Sequence, residues 1–186
     1  MPSVAGGPCC GSCGAPGSSD DVPDDGFEDV VVGVVAGGST VPGAGVAFVQ
    51  YEGTEAYVAA VVDVDVDQSQ HKVRVTRVCV AHDCGLIVNP DGLRNQIEGN
   101  VIQGISRALK EQVTFDRSRV TSLNWRTYPI LTFAEVPDSI DVELIDHPEL
   151  PSVGAGEAAT SPLPAAIANA IFDATGKRLR DVPLKV

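Results

Sequence analysis

The chain has 186 residues, 44% of them hydrophobic, which suits one domain or a piece of a larger one. Its net charge of −12 is uneven, because the first 70 residues contain 11 acidic side chains and no Lys or Arg, whereas residues 71–186 are nearly neutral. Neither part has the basic surface that nucleic acid requires, and no apolar run reaches the length of about 18 residues that a membrane span needs.

Residues 1–45 have the composition of a disordered acidic and glycine-rich tail, so ordered structure is expected from residue 46 onward. The N-terminus lacks a basic start followed by an apolar segment, and no signal peptide is predicted. The compartment therefore stays open between cytoplasm and periplasm. Cys9, Cys10 and Cys13 have a metal-like spacing, but no second cysteine pair or histidine pair accompanies them, so a metal site is not expected.

Three strands and two helices are predicted after this tail. Apolar and polar residues alternate in residues 56–66, 72–81 and 139–146, as they do in strands with one buried face. Residues 94–113 carry apolar side chains at helical spacing, and residues 163–175 form a second helical segment with prolines in its first turn. The predicted fold class is α+β, with a small, mainly antiparallel sheet packed by two or more helices.

One side of the longer predicted helix carries carboxamides and a glycine. Gln96, Gly99, Asn100 and Gln103 follow one another at spacings of three and four residues, which places them on one face. Carboxamides offer paired donors and acceptors, so this face is suited to a polar heterocycle such as a pterin. The alternative is a glycine face for close helix packing. Gly99 and Gly104 each cost the helix about 1 kcal/mol relative to alanine, so both need a reason.

A glycine-bearing loop precedes the last helix and ends in a glutamate. Gly154, Ala155 and Gly156 come immediately before Glu157. Glycines allow a ligand to approach the backbone closely, and the start of a helix favours nearby negative charge. Glu157 is therefore a candidate carboxylate base. The alternative is a glutamate that only caps the helix or interacts with its dipole.

These motifs occur together in an order that resembles a known family. The stretches HDCGLIVNPDGLRNQIEGNVIQG and VGAGEAATSPLP resemble the molybdopterin-binding large subunit of the xanthine dehydrogenase/aldehyde oxidase family, in particular the large subunits of the isoquinoline 1-oxidoreductase and nicotinate dehydrogenase types. The resemblance runs through residues 46–186. It implies that they are the C-terminal part of the molybdopterin-binding domain of such a subunit.

The resemblance also implies a reaction and its cofactors. Members of this family oxidise an N-heterocycle or an aldehyde with water as the oxygen source, and pass electrons to [2Fe–2S] clusters on a partner subunit. Their molybdenum is held through molybdopterin, in bacterial members usually the cytosine dinucleotide, so no protein ligand to the metal is expected. Glu157 matches the catalytic base of the family. The helix glycines Gly99 and Gly104 are expected to leave room for the cofactor. The residues expected to bind it are Gln96, Gly99, Asn100, Gln103, Gly154, Ala155 and Gly156.

A large subunit of this family is several times longer than this chain. The resemblance therefore implies a split subunit, a truncated product or a piece of a longer one. We expect its partners to be the remaining part of the large subunit and a small [2Fe–2S] subunit. Alone, the chain is expected to be inactive and to expose apolar faces that normally pack on the missing part. The alternative is a non-catalytic remnant or assembly module that kept the fold and lost the chemistry.

Overall fold

A computed structural model describes residues 40–53 and 55–186 of the chain, which form one sheet and two helices. The sheet has the strand order β1-β2-β3-β4; β1 pairs with β2 and β2 with β3 in antiparallel orientation, whereas β3 and β4 are parallel. The strands and helices are β1 (Thr40–Gln50), β2 (Tyr57–Asp67), β3 (Lys72–Asp83), α1 (Pro90–Leu109), β4 (Ser139–Ile145) and α2 (Leu163–Thr175); single 3-10 turns span Tyr51–Gly53, Phe133–Glu135 and Ala158–Thr160.

The predicted α+β fold is confirmed, and the three predicted strands are β2, β3 and β4. The core lies between one face of the sheet and the two helices. Every second residue of β2, from Val58 to Val66, is buried, and the aspartates between the valines are not. The apolar side chains of α1 and α2, such as Ile97 and Ile167, complete this core. The buried face of the sheet and the apolar faces of the two helices therefore form one layer.

Strand β1 begins at Thr40, so the prediction that residues 40–45 belong to the tail is wrong. Gly43 and Gly45 lie directly against the backbone of α2. A Cβ atom at Gly45 would stand 2.2 Å from the carbonyl oxygen of Ala166, and one at Gly43 would stand 2.3 Å from that of Ala170. The glycines that indicated a loop are thus required for close strand–helix packing. Residues 1–39, with the cysteine cluster and the rest of the predicted tail, lie outside the described residues.

Helix α1 begins and ends four residues earlier than the predicted segment 94–113. The backbone N–H of Gly92 donates to the side chain of Asn89 (3.0 Å), and Pro90 occupies the first turn. The Asn-Pro and Asp-Gly pairs that indicated a loop therefore form a helix cap and its first turn. At the other end, the N–H of Lys110 bonds to Ser106 and closes the last turn.

Two apolar surfaces are exposed on the described part of the chain. The outer sheet face, on the side of β1 and β2 away from the helices, comprises Val46, Phe48, Tyr57 and Val61. The connecting segment, residues 113–133, exposes several large side chains, among them Trp125 at 74% and Phe133 at 92%. None of the helices in residues 40–53 and 55–186 combines the length and apolar character needed to cross a bilayer.

His82 is fully buried in β3, and neither of its ring nitrogens has a hydrogen-bond partner among residues 40–53 and 55–186. Burial lowers the pKa of the imidazole from its ordinary value of 6.5, and the neighbouring Asp83 carboxylate opposes this only in part. The folded state therefore holds His82 neutral, whereas the unfolded chain protonates it below about pH 6.5. Unfolded chains then bind more protons than folded ones, and this group reduces stability as the pH falls below 6.5.

We expect His82→Leu to remove this acid sensitivity. The wild-type free energy of unfolding should fall with decreasing pH below 6.5 with a contribution from His82 of at most about 1.4 kcal/mol per pH unit, because one proton is involved. Urea midpoints measured across this pH range test it. The control His71→Asn changes an exposed histidine with positive φ, a conformation that asparagine tolerates. Its free energy of unfolding should fall with decreasing pH as steeply as that of the wild type. An unchanged slope in His82→Leu would contradict the assignment.

Candidate active site

The buried side chain of Asn100 connects α1 to the glutamate-bearing loop. Its nitrogen donates to the carbonyl oxygen of Gly156 (3.1 Å) and to that of Gln96 (2.5 Å). Its oxygen accepts a hydrogen bond from the hydroxyl of Thr160 (2.6 Å), in the turn that follows Glu157. Both polar ends of the amide thus have partners within the chain, and Asn100 holds the loop against the helix. A direct contact between Asn100 and a cofactor stays a prediction.

The carboxamide face of α1 and the loop 153–157 adjoin each other. The exposed amide of Gln96 donates to the same Gly156 carbonyl at 3.4 Å. Gly99 and Gln103 continue this face toward solvent, and both are exposed. The two motifs singled out from the sequence are therefore brought together by one shared acceptor, the oxygen of Gly156.

The carboxylate of Glu157 faces a tyrosine from a distant part of the chain. The hydroxyl of Tyr51, just after β1, donates to Oε1 of Glu157 at 2.5 Å. This hydrogen bond, together with desolvation and the nearby carboxylates of Glu52 and Glu55, raises the pKa of Tyr51 to about 12. Glu157 occupies the position before the 3-10 turn Ala158–Thr160 but makes no side-chain capping bond. The capping alternative therefore does not account for this carboxylate.

Sequence reasoning missed Tyr51. It lies 106 residues before Glu157, in a stretch with no recognisable motif, and a tyrosine at a strand end is an ordinary feature of a sheet. Only the packing of β1 on α2 brings the two side chains together.

A cavity of about 470 Å³ opens beside Glu157. Its lining comes from two segments that are far apart in sequence: the turn after β1 and the loop that Asn100 holds. Backbone atoms of small residues form much of the second wall. The lining residues are Tyr51, Glu52, Glu55, Val153, Gly154, Ala155, Gly156, Glu157 and Ala158.

Three of the site glycines face open space, and one helix glycine does not. A Cβ atom at Gly99, Gly154 or Gly156 would meet nothing within 4 Å, whereas one at Gly104 would stand 2.9 Å from Cδ1 of Leu163. The expectation that Gly104 makes room for a cofactor is therefore wrong, because it packs against α2. Gly154 has φ +85°, which also favours glycine. An open glycine surface beside amides and a carboxylate fits a planar, hydrogen-bonding cofactor.

A family model described as "Molybdopterin cofactor-binding domain" matches residues 36–137. The chain belongs to this family. The match includes β1, β2, β3 and α1, and with them Tyr51 and the carboxamide face. The resemblance seen in the sequence motifs is thus confirmed at the level of the family.

Individual relatives agree with this assignment. The chain is 50% identical over 155 residues to a nicotinate dehydrogenase subunit of Pseudomonas putida, covering 80% of this chain and 13% of that protein. It is 34% identical over 141 residues to the beta subunit of isoquinoline 1-oxidoreductase from Brevundimonas diminuta, covering 76% and 18%. Quinoline 2-oxidoreductase from Pseudomonas putida 86 superposes with a TM-score of 0.60 at 32% identity, covering 65% and 16%. The chain therefore spans less than a fifth of the length of these relatives.

The two glycines of α1 give a matched pair of stability predictions. We expect Gly99→Ala to stabilise the chain by up to about 1 kcal/mol, because alanine favours the helix and the new methyl group meets open space. Gly104→Ala should destabilise it by about 1 to 3 kcal/mol, because its methyl group meets Leu163. Urea unfolding of the two variants measures both effects, and equal stability of the two would contradict the packing described.

Proposed function

We propose that this chain supplies the proton-accepting carboxylate and part of the cofactor-holding surface of a molybdenum hydroxylase of the xanthine dehydrogenase/aldehyde oxidase type. The observation that carries the proposal is the position of Glu157. Its carboxylate lies exposed at a cavity, on a loop whose glycines face open space and whose backbone is hydrogen-bonded to the carboxamide face of α1. A carboxylate in such a place is suited to general base catalysis.

The reaction converts a substrate R–H and water into R–OH, two protons and two electrons. The molybdenum cofactor, proposed to be molybdopterin cytosine dinucleotide, would when bound supply the chemistry of oxygen transfer and two-electron oxidation, and a [2Fe–2S] partner subunit is the proposed electron acceptor. Glu157 accepts one proton. Gln96 and Gln103 offer amide donors and acceptors to the pterin, and Gly99, Gly154, Ala155 and Gly156 let it approach the backbone. Asn100 positions the loop.

The proposed substrate is an N-heterocycle or an aldehyde. The relatives named for nicotinate and isoquinoline, and the structural neighbour named for quinoline, support a ring substrate. Relatives named as aldehyde oxidoreductases support the second class. The carbon beside a ring nitrogen and the carbon of an aldehyde group are both electrophilic. Oxygen insertion at either carbon can therefore use the same base.

We further propose that the rest of the large subunit covers the two exposed apolar surfaces. The chain spans 13% of the nicotinate dehydrogenase subunit and 18% of the isoquinoline 1-oxidoreductase subunit. The outer sheet face and the connecting segment expose more large apolar side chains than the surface of a monomeric protein usually does. Trp125 and Phe133 are the kind of aromatic anchor that dominates protein interfaces. The chain is thus proposed to work only in the assembled enzyme.

The assembled enzyme tests the role of Glu157. We expect Glu157→Gln, in the complex purified from its host, to lower the hydroxylation rate by about 10²- to 10⁴-fold, because the amide accepts no proton at neutral pH. Molybdenum content should not change. The control Glu143→Gln removes an exposed carboxylate on β4 and should retain the wild-type rate.

Two results would contradict the proposal in different ways. Hydroxylation that survives Glu157→Gln would remove the base assignment. Purified complex without molybdenum would favour the second candidate function, a non-catalytic remnant or assembly module. The observation that supports this second candidate is the small share of its relatives' length that the chain covers.

A further inference from the structure

We propose that Tyr51 is a positioning residue for Glu157: it fixes Oε1 of the carboxylate and so leaves Oε2 as the proton-accepting atom. The proposal rests on the proposed function of Glu157 as the base. It adds a residue outside both motifs found in the sequence, and it assigns different tasks to the two oxygens of one carboxylate.

The contact between Tyr51 and Glu157 constrains a side chain that has no other hydrogen bond within the described part of the chain. Glu157 is exposed, follows two glycines and makes no capping bond with its own turn. The phenol donates to Oε1 at 2.5 Å, and among the described residues no donor is placed on Oε2. A base must be held in one orientation to be effective, since small displacements lower the rate strongly. Tyr51 provides that orientation from across the cavity.

Tyr51 is itself held in place. Its backbone N–H donates to the carbonyl of Ala56 (2.7 Å), and its carbonyl accepts from the N–H of Glu55 (3.1 Å). These two backbone hydrogen bonds hold the turn together. Glu52 has φ 47° within this turn, an uncommon conformation for a residue other than glycine. The Tyr51 ring is partly buried against the core. The turn therefore holds the Tyr51 hydroxyl in one position.

The charges around Tyr51 keep it a donor. Glu157 accepts its hydrogen bond, and the carboxylates of Glu52 and Glu55 lie nearby, so loss of the phenolic proton would place a second anion against Glu157. The pKa of Tyr51 is raised to about 12 by these groups and by desolvation. Over the neutral range Tyr51 stays protonated and donates to Glu157, so the phenol does not compete with Glu157 for the proton released in the reaction.

The contact between Tyr51 and Glu157 can be tested on the full chain without cofactor. A stopped-flow jump to high pH allows the phenolate absorbance to be measured before the chain unfolds. At a pH between 10.0 and about 12, Tyr51 of the wild type should remain protonated. Glu157→Gln should increase the phenolate absorbance, by at most one phenolate per chain, because it removes the hydrogen-bonded anion that opposes ionisation of Tyr51. The gain should vanish in a Tyr51→Phe background and persist in a Tyr57→Phe background, since Tyr57 contacts Gln50 on the outer sheet face.

The positioning role is tested in the assembled enzyme. We expect Tyr51→Phe to lower kcat by about 10- to 100-fold with little change in KM and molybdenum content. A residue with only a structural role would change KM or molybdenum content as well as kcat, so a fall confined to kcat is the result that indicates positioning. Glu143→Gln, which changes an exposed side chain on β4, is the control and should behave as wild type.

The outcomes separate this proposal from the proposed function. If Glu157→Gln adds no phenolate, Tyr51 does not contact Glu157 and the positioning role is overturned. If the phenolate appears but Tyr51→Phe has the wild-type kcat while Glu157→Gln is inactive, the base stands and its positioning by Tyr51 is overturned. If Glu157→Gln is also active, both the proposed function and the positioning role fail.

Discussion

The buried amide of Asn100 is the interaction on which the candidate site depends. Glycine-rich loops lose much conformational entropy when they are ordered, so the loop before α2 needs external support. Asn100 gives it by donating to Gly156 and accepting from Thr160, on either side of Glu157. Because Asn100 is buried, these bonds form away from competing water. The loop can therefore keep its open glycine surface while the backbone on either side of Glu157 is held in one place.

A second constraint brings the other wall of the cavity into position. The glycines of β1 allow the strand to lie directly on the backbone of α2, and Asn169 adds a hydrogen bond to the carbonyl of Val46 (3.0 Å). Tyr51 follows β1, and Glu157 comes shortly before α2, so this strand–helix contact sets the distance between them. Backbone packing away from the cavity thus determines which side chain faces Glu157.

Much of the fold was accessible from the sequence, but the internal contacts of the site were not. The valine–aspartate alternation of β2 predicted a strand with one buried face, and the motifs around α1 and Glu157 predicted the family. Strand β1 was missed because its glycines have loop composition and their partner, the backbone of α2, is about 120 residues away. Tyr51 has no local signal. The predicted cofactor face of α1 remains a prediction for Gln103 and Gly99, while the Asn100 amide is engaged within the chain.

The most direct test of this account is the position of molybdenum relative to this chain. Anomalous diffraction from crystals of the assembled enzyme would locate the metal without assumptions about the protein. The account predicts the molybdenum peak at the cavity beside Glu157, on the side where Gly154 and Gly156 are open, with the pterin along the carboxamide face of α1. A molybdenum peak away from this loop, in a complex that contains the chain and hydroxylates its substrate, would contradict it.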